Sequence, residues 1–243
     1  MIVAAIIVAA GRGRRLGSDI PKQYLSLGEA TAIRLSIEAF LRVEAVNWIV
    51  PVINLADGDL CASALQGLED RRVRHPVEGG ATRAISVRRG LESIQDVCPD
   101  RVLIHDAARP FVTETIIQEV ISALDTSEGA FAALPVVDAL WSSQDLSANR
   151  PVPRDGLWRA QTPQGFRFQS ILNAHRSHDG TGADDVTVAR ELGLGVRLVL
   201  GSEANYKITT QADLERARHD AARSGSKSSS AAGNGRGKLR SRV

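Results

Sequence analysis

Only two of the 243 residues are cysteine, Cys61 and Cys98. Neither sits in a Cys-x-x-Cys pair or beside a histidine cluster, which excludes a disulfide framework and a zinc site of familiar spacing and points to a reducing cytoplasm. Long apolar runs are also missing. The longest, Met1 to Ala10, is too short to span a bilayer, lacks a positively charged start and runs into Gly11-Arg12-Gly13 in place of a cleavage site. It reads as a buried strand of a soluble protein, with no membrane partner. Acidic residues are absent from Arg223 onward, where six basic residues stand. Setting those six aside turns the formal charge of +2 into −4 for the rest, so the mild basicity of the whole chain gives no ground for nucleic-acid binding.

Three chemical signatures are missing too. After the first strand candidate, Ile2 to Val8, comes Ala9-Ala10-Gly11-Arg12-Gly13-Arg14-Arg15-Leu16-Gly17. A dinucleotide fingerprint needs glycine where Leu16 stands, and no Gly-x-x-x-x-Gly-Lys-Ser/Thr phosphate loop occurs. Asn54-Leu55-Ala56, ending the second strand, offers no acid for a ribose, so an NAD-dependent oxidoreductase is disfavoured. There is no Ser–His or Cys–His pattern for covalent catalysis. What remains is a glycine loop whose N–H groups can cradle an anion, enriched by Arg12, Arg14 and Arg15 and followed by Pro21-Lys22-Gln23. Those cations suit a triphosphate and its departing pyrophosphate; the competing reading is a solvated turn with surface arginines.

The rest of the chain alternates strand and helix patterns. Helices are expected at Thr31–Arg42, Asp57–Leu68, Thr82–Ile94, Glu114–Leu124, Phe168–His175 and Asp184–Leu192, with a last one from Gln211 capped by Thr210 and Asp213. Strands are expected at Val46–Ile53, Val73–Val77, Arg101–His105, Gly129–Val136 and Val196–Leu200. This predicts an α/β fold, a Rossmann-like, mostly parallel twisted sheet with helices on both faces. Between Val137 and Thr162 the alternation fails, predicting an extended arm outside the sheet. The expected domain spans residues 1–222, and residues 223–243 read as a basic, Ser/Gly-rich disordered tail.

Two further segments carry candidate chemistry. Glu78-Gly79-Gly80-Ala81-Thr82-Arg83-Ala84-Ile85-Ser86 is a glycine turn opening a helix, with Arg83 and Ser86 one turn apart. They can contact a base and a phosphate, or simply form a helix cap with an exposed arginine. His105-Asp106-Ala107-Ala108-Arg109-Pro110 lies at the C-terminal end of a predicted strand, where open α/β sheets bind ligands. Asp106 is the leading magnesium ligand, Arg109 can hold an anionic substrate, and His105 reads as a packed strand residue.

These three segments, followed by Gly156-Leu157-Trp158-Arg159-Ala160-Gln161-Thr162-Pro163-Gln164 and Asn205-Tyr206-Lys207-Ile208-Thr209, resemble the 2-C-methyl-D-erythritol 4-phosphate cytidylyltransferases of the non-mevalonate isoprenoid pathway. The resemblance runs from about Ile2 to Ala222. It implies that Ala9, Ala10, Gly11, Gly13, Gly80, Arg83 and Ser86 hold CTP, and that Arg15 and Lys22 stabilise the transition state. It implies Asp106 for magnesium, with Asp106, Arg109, Arg154, Thr162 and Lys207 around the methylerythritol phosphate. It also implies a homodimer in which the β-arm embraces a second subunit and Arg154 and Thr162 serve the neighbour's site. Asp138-Ala139-Leu140-Trp141 replaces the usual Asp-Thr-x-Lys, and Ala183 stands where threonine is common. The rival readings are a ribitol-5-phosphate cytidylyltransferase, disfavoured by Gly156-Leu157-Trp158, and a noncatalytic nucleotide-binding relative, disfavoured by retention of Arg15, Lys22 and Asp106 together.

Overall fold

A computed structural model of the chain describes residues 1–12 and 20–232, with side chains as far as Arg223. Strand β1 (Val3–Ala9) is apolar at every position because both of its faces are covered. Val3, Ala5, Ile7 and Ala9 join one core cluster, and Ala4 and Ile6 join another. The two-residue period of an extended chain thus feeds two separate helical layers. A short hairpin, β2 (Ser26–Leu27) and β3 (Ala30–Thr31), leads into α1 (Ala32–Leu41), β4 (Val46–Ile53), α2 (Gly58–Ala64) and β5 (Val77–Glu78). There follow α3 (Arg83–Glu92), β6 (Arg101–Asp106), α4 (Glu114–Ala123) and β7 (Gly129–Pro135).

Helix starts follow local chemistry. The hydroxyls of Thr31, Thr82 and Thr113 accept from the N–H groups of Arg34, Ile85 and Ile116, capping α1, α3 and α4. Expected elements sometimes proved shorter. The helix predicted to reach Leu68 ends at Ala64, and the strand predicted over Val73–Val77 is a single bridge from Val73 to Ile49 followed by β5.

The departure from the sequence reading lies after β7. An exposed hairpin, β8 (Leu140–Gln144) and β9 (Ser147–Val152), occupies most of the predicted arm. The chain is back in the sheet by Trp158, however, because β10 (Trp158–Arg167) runs antiparallel between β6 and β7. Gln161, Thr162, Pro163 and Gln164 disguise this strand as loop; the first, second and fourth are buried polar residues whose partners are distant in sequence. Then come α5 (Phe168–Ser177), α6 (Asp185–Glu191), β11 (Val196–Leu200) and α7 (Gln211–Ala232). The main sheet has the order β11-β7-β10-β6-β1-β4-β5, all parallel except β10. Thr210 and Asp213 form the expected capping box of α7, whose helix continues to Ala232, past Arg223 where the tail was expected to begin. No helix among the described residues is long and apolar enough to cross a membrane.

Candidate active site

The strands β1, β4 and β6 run parallel and end on one side, where open α/β sheets bind ligands. A cleft of about 650 Å³ opens there, lined by Ala9, Ala10, Gly11, Arg12, Lys22, Gly80, Arg83, Ser86, Asp106 and Lys207 among others. Segments far apart in sequence therefore meet on one concave surface.

Its floor is tied together by side chains that the backbone needs. Buried Gln23 donates to the carbonyls of Ala9 and Gly11, folding the loop after β1 back on itself. Arg12 reaches Asn54 Oδ1 at 3.2 Å and Asp57 Oδ1 at 3.3 Å. Across the cleft, the Ser86 hydroxyl accepts from the Gly80 N–H at 2.9 Å and donates to the Thr82 carbonyl at 2.9 Å. A side chain at Gly79 would run into Ala10 Cβ, and one at Gly80 into Ile85, so the two glycines let the turn press against the loop after β1.

At the end of β6, Asp106 accepts from Lys207 Nζ at 2.7 Å through Oδ2 and from Arg83 Nε at 3.2 Å through Oδ1. Burial by itself would raise its pKa, yet Arg83, Lys207 and Arg109 outweigh burial and hold the carboxyl well below its ordinary range. Arg83 is itself clamped, with Nη1 2.8 Å from Asp185 Oδ2. Burial disfavours its charge, but Asp185 and Asp106 overcompensate and raise its pKa. Asp185 is fully buried and accepts from His175 Nε2 at 3.1 Å. Although burial works to raise its pKa, Arg83 and His175 lower it.

Beneath Asp106 runs a second chain of bonds. The Thr162 hydroxyl accepts from the Asp106 N–H at 3.1 Å and meets His105 Nδ1 at 3.0 Å, while His105 Nε2 meets the Arg109 carbonyl at 3.1 Å. A carbonyl only accepts, so Nε2 carries the proton and Nδ1 accepts from Thr162. Burial pushes the His105 imidazole down to about 4, consistent with this neutral tautomer. Arg109 donates to the carbonyls of Asn205 at 2.8 Å and Ala160 at 3.4 Å, its charge disfavoured by burial. Buried Asn205 donates to Thr162 O and Gln161 Oε1, and Ile208 N–H donates to Ala108 O. The 205–208 segment is thereby fixed against β6 and β10, and its Ile208 carbonyl holds Lys22 Nζ at 2.6 Å. The result is a cationic cleft with one carboxylate at its centre, built to receive a polyanion.

A family model described as 2-C-methyl-D-erythritol 4-phosphate cytidylyltransferase matches residues 3–223. The chain belongs to this family. The bifunctional enzyme IspD/IspF of Rhodospirillum rubrum is 50% identical over 216 residues, an alignment covering 88% of this chain and 56% of that protein. The 2-C-methyl-D-erythritol 4-phosphate cytidylyltransferase of Cereibacter sphaeroides is 46% identical over 217 residues, covering 89% and 96% respectively. The chain thus spans about half the length of the fused relative and nearly all of the single one. Among solved structures, the cytidylyltransferase of Thermus thermophilus is 32% identical with a TM-score of 0.73, covering 91% of this chain and all of that one. The synthase of Anaerococcus prevotii superposes with a TM-score of 0.77 at 26% identity, covering 90% and 95%.

Within the cytidylyltransferase fold, most expected site residues gather at the cleft: Ala9, Ala10, Gly11, Lys22, Gly80, Arg83, Ser86, Asp106 and Lys207 all line it. Gly13 and Arg15 lie outside the described residues. Arg109 is not among the residues that line the cleft and donates to backbone carbonyls. Arg83 lies between Asp106 and Asp185 with its Nη2 left without a hydrogen-bond partner, and the Ser86 hydroxyl is bonded within its own turn. Thr162 corrects the expectation of a residue serving the neighbour's site: β10 carries it into the sheet of its own chain, where it is 3% exposed and holds Asp106. Arg154 is exposed and donates to the Val137 carbonyl at the base of the hairpin. Asp185, His175, Gln164 and Asn205 are further residues of the site's support; Gln164 and Asn205 stand in runs that carry the family resemblance, whereas the one signal of Asp185 and His175 is polarity in segments otherwise occupied by core residues.

Proposed function

We propose that this chain transfers CMP from CTP to the phosphate of 2-C-methyl-D-erythritol 4-phosphate, releasing pyrophosphate in isoprenoid precursor synthesis. The observation that carries the reading is the meeting, in one cleft, of the glycine loop after β1, Lys22 and the Asp106–Lys207 pair. Family membership supports the substrate pair. An oxygen of the acceptor phosphate attacks the α-phosphorus in line; the bond to the β-phosphate oxygen breaks, and its electron pair leaves with pyrophosphate.

The acceptor phosphate is already deprotonated near neutrality, so no general base is needed. His105, the histidine nearest Asp106 in the chain, is buried with both ring nitrogens occupied, in keeping with that chemistry. The loop backbone at Ala9, Ala10, Gly11 and Gly13, with the Gly80 turn tied by Ser86, receives the nucleotide. Lys22, oriented by the Ile208 carbonyl, and Arg15 neutralise the charge that develops on the α-phosphoryl and the leaving group. Lys207 and, from a neighbouring subunit, Arg154 hold the acceptor, while Arg109 adds positive charge beside Asp106.

Asp106 is the one carboxylate among the described residues lining the cleft, and these residues contain no cluster of three or more His, Cys, Asp or Glu. A single carboxylate plus substrate phosphates is a donor set that magnesium accepts, so the residues fit a metal brought in with CTP. Magnesium held there would supply neutralisation of phosphate charge.

The working unit in this reading is a homodimer. Its support is the hairpin β8–β9, which exposes Trp141 and Leu146 to an extent unusual for large apolar side chains. The proposed compartment is the cytoplasm, in keeping with two free cysteines. Pyrophosphate release with CTP, magnesium and methylerythritol phosphate, run beside ribitol 5-phosphate and ATP, tests the activity. Release with the first pair alone is the expected outcome; none with any pair, from folded dimer, would leave a noncatalytic relative.

A further inference from the structure

Asp185 is the most deeply buried acid near the cleft, yet it does not line it. Placing a carboxylate at zero exposure is costly unless it is paired and fully hydrogen-bonded. Here Oδ1 accepts a hydrogen bond from His175 Nε2 at 3.1 Å and the Asp185 N–H donates to Gln164 Oε1 at 2.9 Å, while Oδ2 makes no hydrogen bond and relies on the Arg83 charge, with Nη1 2.8 Å away. The same Gln164 oxygen accepts from Val186, so the first turn of α6 is fastened to β10. Every one of these partners immobilises Asp185, and its outward oxygen points at Arg83.

Arg83 is the link to the cleft. It begins α3, and its guanidinium reaches Asp185 on one side and Asp106 on the other. The two cations on Asp106 differ in their freedom: Arg83 is braced from behind, whereas Lys207 is a third exposed and, among the described residues, pairs with Asp106 alone. A substrate phosphate can therefore draw Lys207 away while Asp106 keeps its counter-charge and orientation through Arg83.

We infer that Asp185, held by His175, is a positioning residue for the transfer reaction, acting through Arg83 to fix the Asp106 carboxylate while Lys207 engages the acceptor. This rests on the function proposed above. It departs from the simpler idea that Arg83 is a nucleotide-binding cation, because its charge is already shared between two carboxylates inside the protein.

The test is a double-mutant cycle read by pyrophosphate release, with CTP and the acceptor phosphate varied separately. Asp185→Asn should lower kcat/KM for the acceptor phosphate about tenfold and leave KM for CTP within about twofold; combined with Arg83→Gln, it should cost less than about twofold more. His175→Phe removes only the donor to Oδ1 and should give a smaller loss in the same direction, again abolished by Arg83→Gln. It serves if Asp185→Asn fails to fold, as judged by its urea midpoint. A loss that persists undiminished beside Arg83→Gln overturns the inference, as does a change in unfolding midpoint with kinetics unaltered. No release by the unaltered chain overturns the functional reading and this inference with it; release without the coupling overturns the inference alone.

Discussion

Replacing Thr162 by valine removes one oxygen while nearly preserving shape. That oxygen accepts from the Asp106 N–H and donates to His105 Nδ1, and all three residues are buried. Two polar groups would be left without partners in a site closed to water. Each buried orphan costs about 1–3 kcal/mol, so the variant should lose about 2–6 kcal/mol of stability. For a domain of this size, with a urea m-value of about 2 kcal/mol/M, the midpoint should fall by about 1–3 M. Thr162→Ser keeps the oxygen and should lose about 1 kcal/mol or less, from one methyl group. Urea unfolding followed by circular dichroism measures all three proteins. If Thr162→Val unfolds at the wild-type midpoint but shows a raised KM for the acceptor, the hydroxyl serves substrate instead of Asp106, and β10 does not brace the carboxylate from beneath.

Three other outcomes are expected. Lys22→Ala should fold normally and lose about 10²–10³ in kcat, as when an oxyanion donor is removed, and near-normal turnover would refute its role. Gly79→Ala places a methyl group against Ala10 and 2.9 Å from Ser86 Oγ, so it should raise KM for CTP more than KM for the acceptor. His105 is neutral in the folded protein down to about pH 4, while in the unfolded chain it binds a proton below about 6.5. The unfolded state therefore holds more protons across that window, and stability should fall as pH drops through it, by up to about 3 kcal/mol, then level off. His105→Gln should flatten that part of the stability–pH curve; an unchanged slope would contradict it.

Much of the site could be read from the sequence because its parts are local. The unbroken apolar run before Gly11, the glycine turn before Arg83 and the strand ending in Asp106 each carry a signal within about ten residues, and the structure brings all three to the cleft. The rest depends on pairing at long range. Lys207 meets Asp106 across 101 positions and Thr162 meets it across 56, separations at which hydropathy patterns say nothing, so only the family resemblance puts these three residues together. Strand β10 was hidden for the same reason. Gln161 and Thr162 fall in the expected arm and Gln164 carries no strand pattern of its own; what places them in the sheet is Asn205, His105 and the α6 N-terminus facing them. Arg83 looked like a ligand-binding cation because nothing near it in sequence announces Asp185.

Pro135 and Trp158 lie opposite each other in the register of β7 and β10. The polypeptide therefore leaves the sheet and rejoins it at neighbouring points, and the hairpin between them is topologically a graft. Its length and sequence can drift, or be redesigned, while the pairing of the strands that carry the cleft stays as it is. Natural variation can thus accumulate on one part of this chain without passing through intermediates that damage the cleft.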